Sequence, residues 1–357
     1  MQNVRQTFER KVIIMKKKIA VLLSVVMAMA SFTACGASKE SDNNDSTKTY
    51  KVGIVKYVDD ASLDQIQNAI CKELDAKGKE LGVKFDYSEY THNGQADQST
   101  LTQIMTDLVS DEVDAIVPIA TPAAVVAQSA TEDNQIPVVF SAVSDPVSAN
   151  LVESIDAPGA NVTGTSDALD TNAIFNLILA TNPDIKSIGL LYDNGQDASK
   201  KSIEDAKKFC KEHNIEVVEK TGTTNDEISL AAEALVASKV EAVFTPTDNT
   251  VMKAELAIYE KFEKAKIPHY AGADSFALNG AFCGYGVNYS ELGTATADMV
   301  VDILANGSKP ENTAVKTLNN GIATVNTEIA GKIGIDFSSF KDMCEDVKEI
   351  TTAESFE

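Results

Sequence analysis

The residues whose types and spacing could do chemistry lie in short loops directly after β-rich runs. Ala120-Thr121-Pro122-Ala123-Ala124 follows one such run, Asp114 to Ile119, and reads in two ways. Thr121 suits the N-cap and Pro122 the first position of a helix, which is simply a good helix start. The same arrangement turns the amides of Ala123 and Ala124 outward, a seat for a carboxylate. Thr245-Pro246-Thr247-Asp248-Asn249 is the matching loop later in the chain, with an acid where the first has Thr121. That acid suits an ammonium group, or caps a helix beginning at Thr250. Asp274 with Ser275, and Ser141 with Asp145, carry the same two readings, with Asp274 the stronger candidate. Thr165, in the extended run Asn161 to Ser166, joins them as a polar contact. Tyr57 and Tyr192 each follow a β-rich run and are placed to sandwich a flat apolar side chain, although Tyr at a strand end also serves as packing with a wet hydroxyl.

Catalytic patterns are thin. The chain has no Gly-x-Ser-x-Gly elbow, no Gly-rich phosphate loop before a Lys-Ser/Thr pair and no Gly-x-Gly-x-x-Gly run. Its three His residues, His92, His213 and His269, have no evident acid-base partner in sequence. The five Cys residues, Cys35, Cys71, Cys210, Cys283 and Cys344, form no Cys-x-x-Cys pair and have no nearby His to complete a zinc site. We therefore expect no enzyme activity, no metal, no cofactor and free thiols in the folded body. With 53 acidic against 31 basic residues and a net charge of -22, a nucleic-acid groove would work against a repulsive field.

The elements that must position the loops are written twice. Lys51 to Val55 reads as a strand, and Leu63, Ile66, Ile70 and Leu74 mark one face of the helix after it. Phe85 to Tyr90, Asp114 to Ile119 and Ile136 to Ala142 continue as strands, with helices over about Ser99 to Leu108 and Pro122 to Ala130. The order restarts at Ser187. Glu241-Ala-Val-Phe-Thr matches Asp114-Ala-Ile-Val-Pro, Ile267-Pro-His-Tyr matches Ile136-Pro-Val-Val, and Cys-Lys-Glu recurs at 71 and 210, all about 130 residues apart. Alternation of strands and helices predicts an α/β protein of two doubly wound parallel-sheet lobes joined by hinge strands. Lobe 1 is expected over 51–145 plus about 288–308, lobe 2 over about 165–279 plus the C-terminal segment, and the hinge strands near 146–164 and 280–287. Tyr285, Asn288 and Tyr289 then lie close to the cleft, in directions the sequence leaves open.

Residues 1–34 read as an address. Lys16 to Lys18 precede Ile19 to Ala30, an apolar stretch too short to span a bilayer, so a secretory signal is expected, with Met15 as the true start. Phe32-Thr-Ala-Cys35-Gly resembles a bacterial lipobox, with Phe32 in place of the usual Leu, and makes Cys35 the expected lipidation site, palmitate included. Residues 35–50 lack a large apolar side chain until Tyr50 and read as a flexible tether.

From Lys51 to about Ile335 the chain resembles the substrate-binding lipoproteins of ABC importers, specifically the tryptophan/tyrosine type. The resemblance is carried by Lys51-Val-Gly-Ile, Pro118-Ile-Ala-Thr-Pro-Ala, Ile136-Pro-Val-Val-Phe-Ser-Ala-Val-Ser-Asp-Pro, Asn161-Val-Thr-Gly and Ala271-Gly-Ala-Asp. It implies a type I periplasmic-binding-protein fold that closes on tyrosine, tryptophan or phenylalanine and delivers it to a membrane permease driven by an ATPase. By motif position it implies pocket roles for Thr121, Pro122 and Ala123, for Ser141 to Asp145, for Asp248 with Asn249, and for Asp274 with Ser275. A monomer at the cell surface, held outside the membrane by its lipid, is the expected form. Two alternatives remain at this level: a surface adhesin, and a nucleoside or purine receptor of the same architecture.

Overall fold

The first strand of the computed structural model, which describes residues 47–356, is β1 (Thr49–Lys56); of the expected tether only Thr47 to Tyr50 are described, and Thr49 and Tyr50 already belong to this strand. The expected signal and Cys35 lie outside the described residues. Asp60 then caps α1 (Ala61–Leu81), whose Leu63, Ile66, Ile70 and Leu74 form the buried face that the apolar spacing dictates. The expected strand at Phe85 to Tyr90 divides into β2 (Lys84–Asp86) and β3 (Thr91–Asn93), because a turn closes with Tyr90 N donating to Tyr87 O. α2 (Gln98–Ser110), β4 (Ala115–Ile119), α3 (Thr121–Thr131), β5 (Val138–Phe140) and β6 (Val162–Ser166) complete the first run.

The second run comprises α4 (Thr171–Thr181), β7 (Ser187–Tyr192), α5 (Asp197–Glu212), β8 (Glu216–Thr221), α6 (Asn225–Ala237), β9 (Ala242–Thr245), α7 (Asn249–Ala265), β10 (His269–Ala271), α8 (Asp274–Leu278) and β11 (Cys283–Gly286). After it come α9 (Tyr289–Leu304), β12 (Lys316–Thr317), β13 (Ile322–Asn326), α10 (Thr327–Ile333) and β14 (Asp346–Ile350).

The strands form two seven-stranded sheets. One has the order β12-β6-β5-β4-β1-β2 with β3 also on β1, and the other β14-β13-β11-β10-β9-β7-β8. All pairings are parallel except β11 with β13. Alternating strand and helix require this, since a parallel return needs a crossover helix.

The pieces expected as hinge strands are sheet members instead. β6 pairs with β5 and β12, and β11 pairs with β10 and β13, so each is fixed by ladder bonds on both sides. The chain passes between lobes just beyond their carboxyl ends, through Asp167–Asp170 and through Val287–Asn288, and a third time through Leu318–Gly321. The third passage had no sequence signal, because β12 is two exposed residues with no apolar pattern. α9 thereby returns to lobe 1 and packs along α1, where a Cβ on Gly293 would stand 2.5 Å from the Ile66 carbonyl oxygen. One apolar cluster is continuous from Leu63 on α1 through Tyr289 on α9 to Met252 on α7 and Phe276 on α8, so the lobes meet over packed side chains.

Candidate functional site

Parallel strands of both sheets end at the interface between the lobes, and the loops after β1, β4, β5, β6, β9 and β10 converge there. They enclose an inner cavity of about 40 Å³. It has room for roughly one water molecule, so a larger occupant enters only as the lobes part. An outer chamber of about 610 Å³ opens beside it, and Thr121 and Asn249 line both.

Hydrogen bonds hold the lobes against each other at this seam. Asp274 on α8 accepts from Ser62 Oγ at 2.7 Å and from Gln65 Nε2 at 3.0 Å, both on α1. Ser144, after β5, lies 2.9 Å from the Thr247 hydroxyl and donates to Asp167 at 3.1 Å. Asp274 is therefore consumed by a cross-lobe contact and does not line the inner cavity, whereas its neighbour Ser275 does.

Two residues that line the inner cavity each carry a buried side-chain oxygen with no hydrogen bond of good geometry: Asp60 Oδ2, although the Ser275 hydroxyl stands near this carboxylate, and Thr121 Oγ1. A sealed polar atom without a partner costs roughly 1–3 kcal/mol, and such atoms are rare in folded proteins. Asp60 caps α1 through Oδ1, which accepts from the Leu63 amide at 3.0 Å, and this leaves Oδ2 free. Thr121 is 3% exposed, yet it is not the cap expected of it. That position falls to Ala120, held at φ 80° and ψ 152°, with Thr121 as the first helical residue. A non-glycine residue at positive φ in a cleft loop is stored strain of the kind that clusters at functional sites. The Ala124 amide bonds the Ala120 carbonyl at 3.1 Å, so of the two amides expected to be free it is spent inside the helix.

The lining is acidic. Burial is the main reason that Asp60, Asp167 and Asp248 are each pushed up to about 6; the nearby charge of Asp274 adds to this at Asp60, and the Ser275 hydroxyl is near enough to oppose it. Burial likewise raises Asp274, against the hydrogen bonds from Gln65 and Ser62. The Tyr289 phenol, buried and facing Asp167, Asp274 and Asp60, is pushed well above its usual range. No Lys, Arg or His is among the residues lining the inner cavity.

The other sequence-predicted residues sort by geometry. Asp248 touches the inner cavity, but its oxygens already accept from the Thr250 and Val251 amides at 3.0 Å, the Asp193 amide at 2.8 Å and Ser199 Oγ at 2.6 Å. It is a helix cap with its acceptor sites filled from its own lobe. Ser141 and Thr165 form a buried hydroxyl triad with Thr296 of α9, at 2.8 Å each, and line neither cavity. Asp145 folds its own loop through the Ser148 amide and hydroxyl, at 2.9 and 2.7 Å. Ala123 is fully buried behind the helix start, while Tyr57 and Pro122 line the outer chamber. Tyr192 donates to Glu219 at 2.7 Å and faces a separate surface depression, so no sandwich with Tyr57 forms. The rings beside the inner cavity belong to Phe276 and Tyr289.

His269, which had no visible partner in sequence, lies 2.9 Å from Glu255 Oε1 and 2.8 Å from Thr245 Oγ1. All three are sealed in lobe 2 and line neither inter-lobe cavity, so they tie α7 to the sheet. The four described cysteines are unpaired thiols, and burial pushes Cys71 to about 11 and Cys210 to about 12, which makes them poor nucleophiles. Among the described residues no helix is long and apolar enough to cross a membrane, and no group of three or more His, Cys, Asp or Glu is placed to hold a metal ion.

Residues 51–340 match the family model described as ABC transporter substrate binding protein. A tyrosine-binding protein of Clostridioides difficile (strain R20291) is 32% identical over 321 residues, which are 88% of this chain and 91% of that one. A solved structure of an ABC domain in complex with L-Trp from Streptococcus pneumonia is 32% identical, with a TM-score of 0.77 over 84% of this chain and all of that one. The ligand-free, open structure of a substrate binding protein with adhesive properties from Clostridium difficile is also 32% identical, over 85% of this chain and all of that one, but its TM-score is 0.65.

Proposed function

Because the chain belongs to the ABC transporter substrate binding protein family, we propose that it captures an aromatic amino acid, L-tyrosine or L-tryptophan first among them, between its two lobes and releases it unchanged to a permease. The observation that carries this reading is the pair of unpartnered buried atoms on one cavity, the anionic Asp60 Oδ2 and the neutral Thr121 Oγ1. An α-amino acid presents an ammonium to the first and a carboxylate to the second. The start of α3 adds its positive dipole end to the carboxylate seat. Phe276 and Tyr289 supply flat apolar faces for a ring. The relatives that bind tyrosine and L-Trp support the aromatic class.

Capture works by differential affinity, since a ligand touching both lobes binds the shut state better than the open one and shifts the equilibrium toward it. Export through the expected signal, lipidation at Cys35 and delivery to a permease with its ATPase complete the proposal. Adhesion to a surface is a second reading, favoured by the adhesive relative; it is separated by cell binding that persists when the cleft is disabled. A nucleoside fits less well, as it brings no ammonium to an acidic lining.

Isothermal titration against the twenty amino acids tests the function. Heat with tyrosine or tryptophan and none with the acidic or basic amino acids is expected, and absence of heat with every aromatic member would refute the substrate class.

A further inference from the structure

Asp60 and Asp274 stand on opposite lobes, Asp60 at the start of α1 and Asp274 at the start of α8. Closing the cleft brings these two carboxylates together, since Ser62 and Gln65, two and five residues beyond Asp60, donate to Asp274 across the seam. Asp167, at the first passage between lobes, lies on the same cavity. No cationic side chain lines that cavity. Of the lysines around the site, Lys56 is paired with Asp59 at 3.0 Å and with Asp64, Lys348 on β14 acts on Asp274 through its charge and not by a hydrogen bond, and Lys253 on α7 lines the outer chamber. Asp248 and its neighbour Asp193 accept their hydrogen bonds within lobe 2, so closure changes the burial of Asp248 but not its partners. Tyr57 and Tyr289 are neutral phenols there, Tyr57 facing Asp193 and Asp248 and Tyr289 facing Asp60, Asp167 and Asp274.

We propose that closure of the two lobes takes up one positive charge at Asp60 Oδ2, supplied by the ligand's ammonium or, without ligand, by a proton. This rests on the inter-lobe reading above and goes beyond it by making the shut state conditional on charge. Like charges buried together in a medium of low polarity repel, and each favours the neutral form of the other, unless a cation or a proton intervenes. An ammonium does this at neutral pH. Acid does it by neutralising one carboxylate.

The sign follows from linkage. Asp60 moves from an ordinary 3.8 when solvated to about 6 in the shut arrangement, so the shut state binds more protons between those values and gains on the open state as pH falls through about 6. A displacement of this size sets an upper bound of roughly 100-fold on the change in the ratio of shut to open molecules. Asp274, and Asp167 and Asp248 on the same cavity, are also raised by burial and shift the balance in the same direction.

Small-angle X-ray scattering of the ligand-free protein between pH 8 and pH 5 tests the proposal, with Asp60→Asn and Asp274→Asn beside the wild type. Asn retains a cap acceptor for α1, so Asp60→Asn keeps the fold, which thermal unfolding verifies. The expected wild-type result is a radius of gyration that falls on acidification toward the value reached with L-tyrosine at pH 8. Asp60→Asn is expected to stay compact across the range, and Asp274→Asn to show a weakened acid response. A wild-type radius that is constant with pH while L-tyrosine still compacts the protein would overturn the charge requirement and leave the amino-acid reading intact. An acid response identical in Asp60→Asn and wild type would overturn the assignment to Asp60. Acid compaction with no response to any aromatic amino acid would uphold charge-linked closure and defeat the substrate reading.

Discussion

Thr121 shows how a side chain can be unhelpful to folding and useful to binding. Its hydroxyl is buried with no partner and caps nothing, so removing it relieves a desolvated polar group. Thr121→Val keeps the shape. Thermal unfolding of this variant should match or slightly exceed the wild type, while titration with the aromatic ligand should show affinity lower by roughly 10- to 100-fold, the worth of a hydrogen bond to a charged group. A residue that served folding alone would lose stability and keep affinity. Thr121 was legible in the sequence because it follows a buried strand and precedes Pro122. Asp60 was not singled out, although an Asp before an amphipathic helix is an N-cap signal; nothing in the sequence says that its second oxygen is left over. Asp248 and Asp274 drew attention as acids at strand ends, but sequence does not reveal that backbone amides, Ser199, Ser62 and Gln65 already occupy them.

At the scale of elements, the duplicated strand-helix order was plain, since the recurrent strands are buried runs flanked by amphipathic helices. The passages between lobes were harder to place, because β6 and β11 look like isolated extended pieces until their sheet neighbours are known. β6 also packs closely against β5. Gly164 sits at φ 156°, and a Cβ there would lie 2.1 Å from the Phe140 carbonyl oxygen on β5. Gly164→Ala must force β5 and β6 apart at the strand that leads into the first passage. A melting temperature lower by roughly 2–12 °C is expected, as for overpacked core positions in large domains. An unchanged melting temperature would show that the strand pair is looser than its geometry. The triad of Ser141, Thr165 and Thr296 belongs to the same region: two hydroxyls that looked like ligand contacts instead bind α9 to the sheet.

For the molecule as a whole, two relatives of equal identity superpose differently, the L-Trp complex better than the open, ligand-free protein. In this chain the cross-lobe bonds at Asp274 and Thr247 and the shared apolar cluster require a shut cleft. A shut cleft in which a free carboxylate oxygen and a helix start lie at neighbouring strand ends of one lobe has the charge pattern of a zwitterion's complement. The most direct test is a crystal structure of the protein grown with L-tyrosine or L-tryptophan. The predicted result is the amino acid between the lobes, its ammonium within hydrogen-bond distance of Asp60 Oδ2, its carboxylate on Thr121 and its ring beside Phe276 and Tyr289. A ligand bound outside the cleft, or one in the cleft with its ammonium turned away from Asp60, would contradict it.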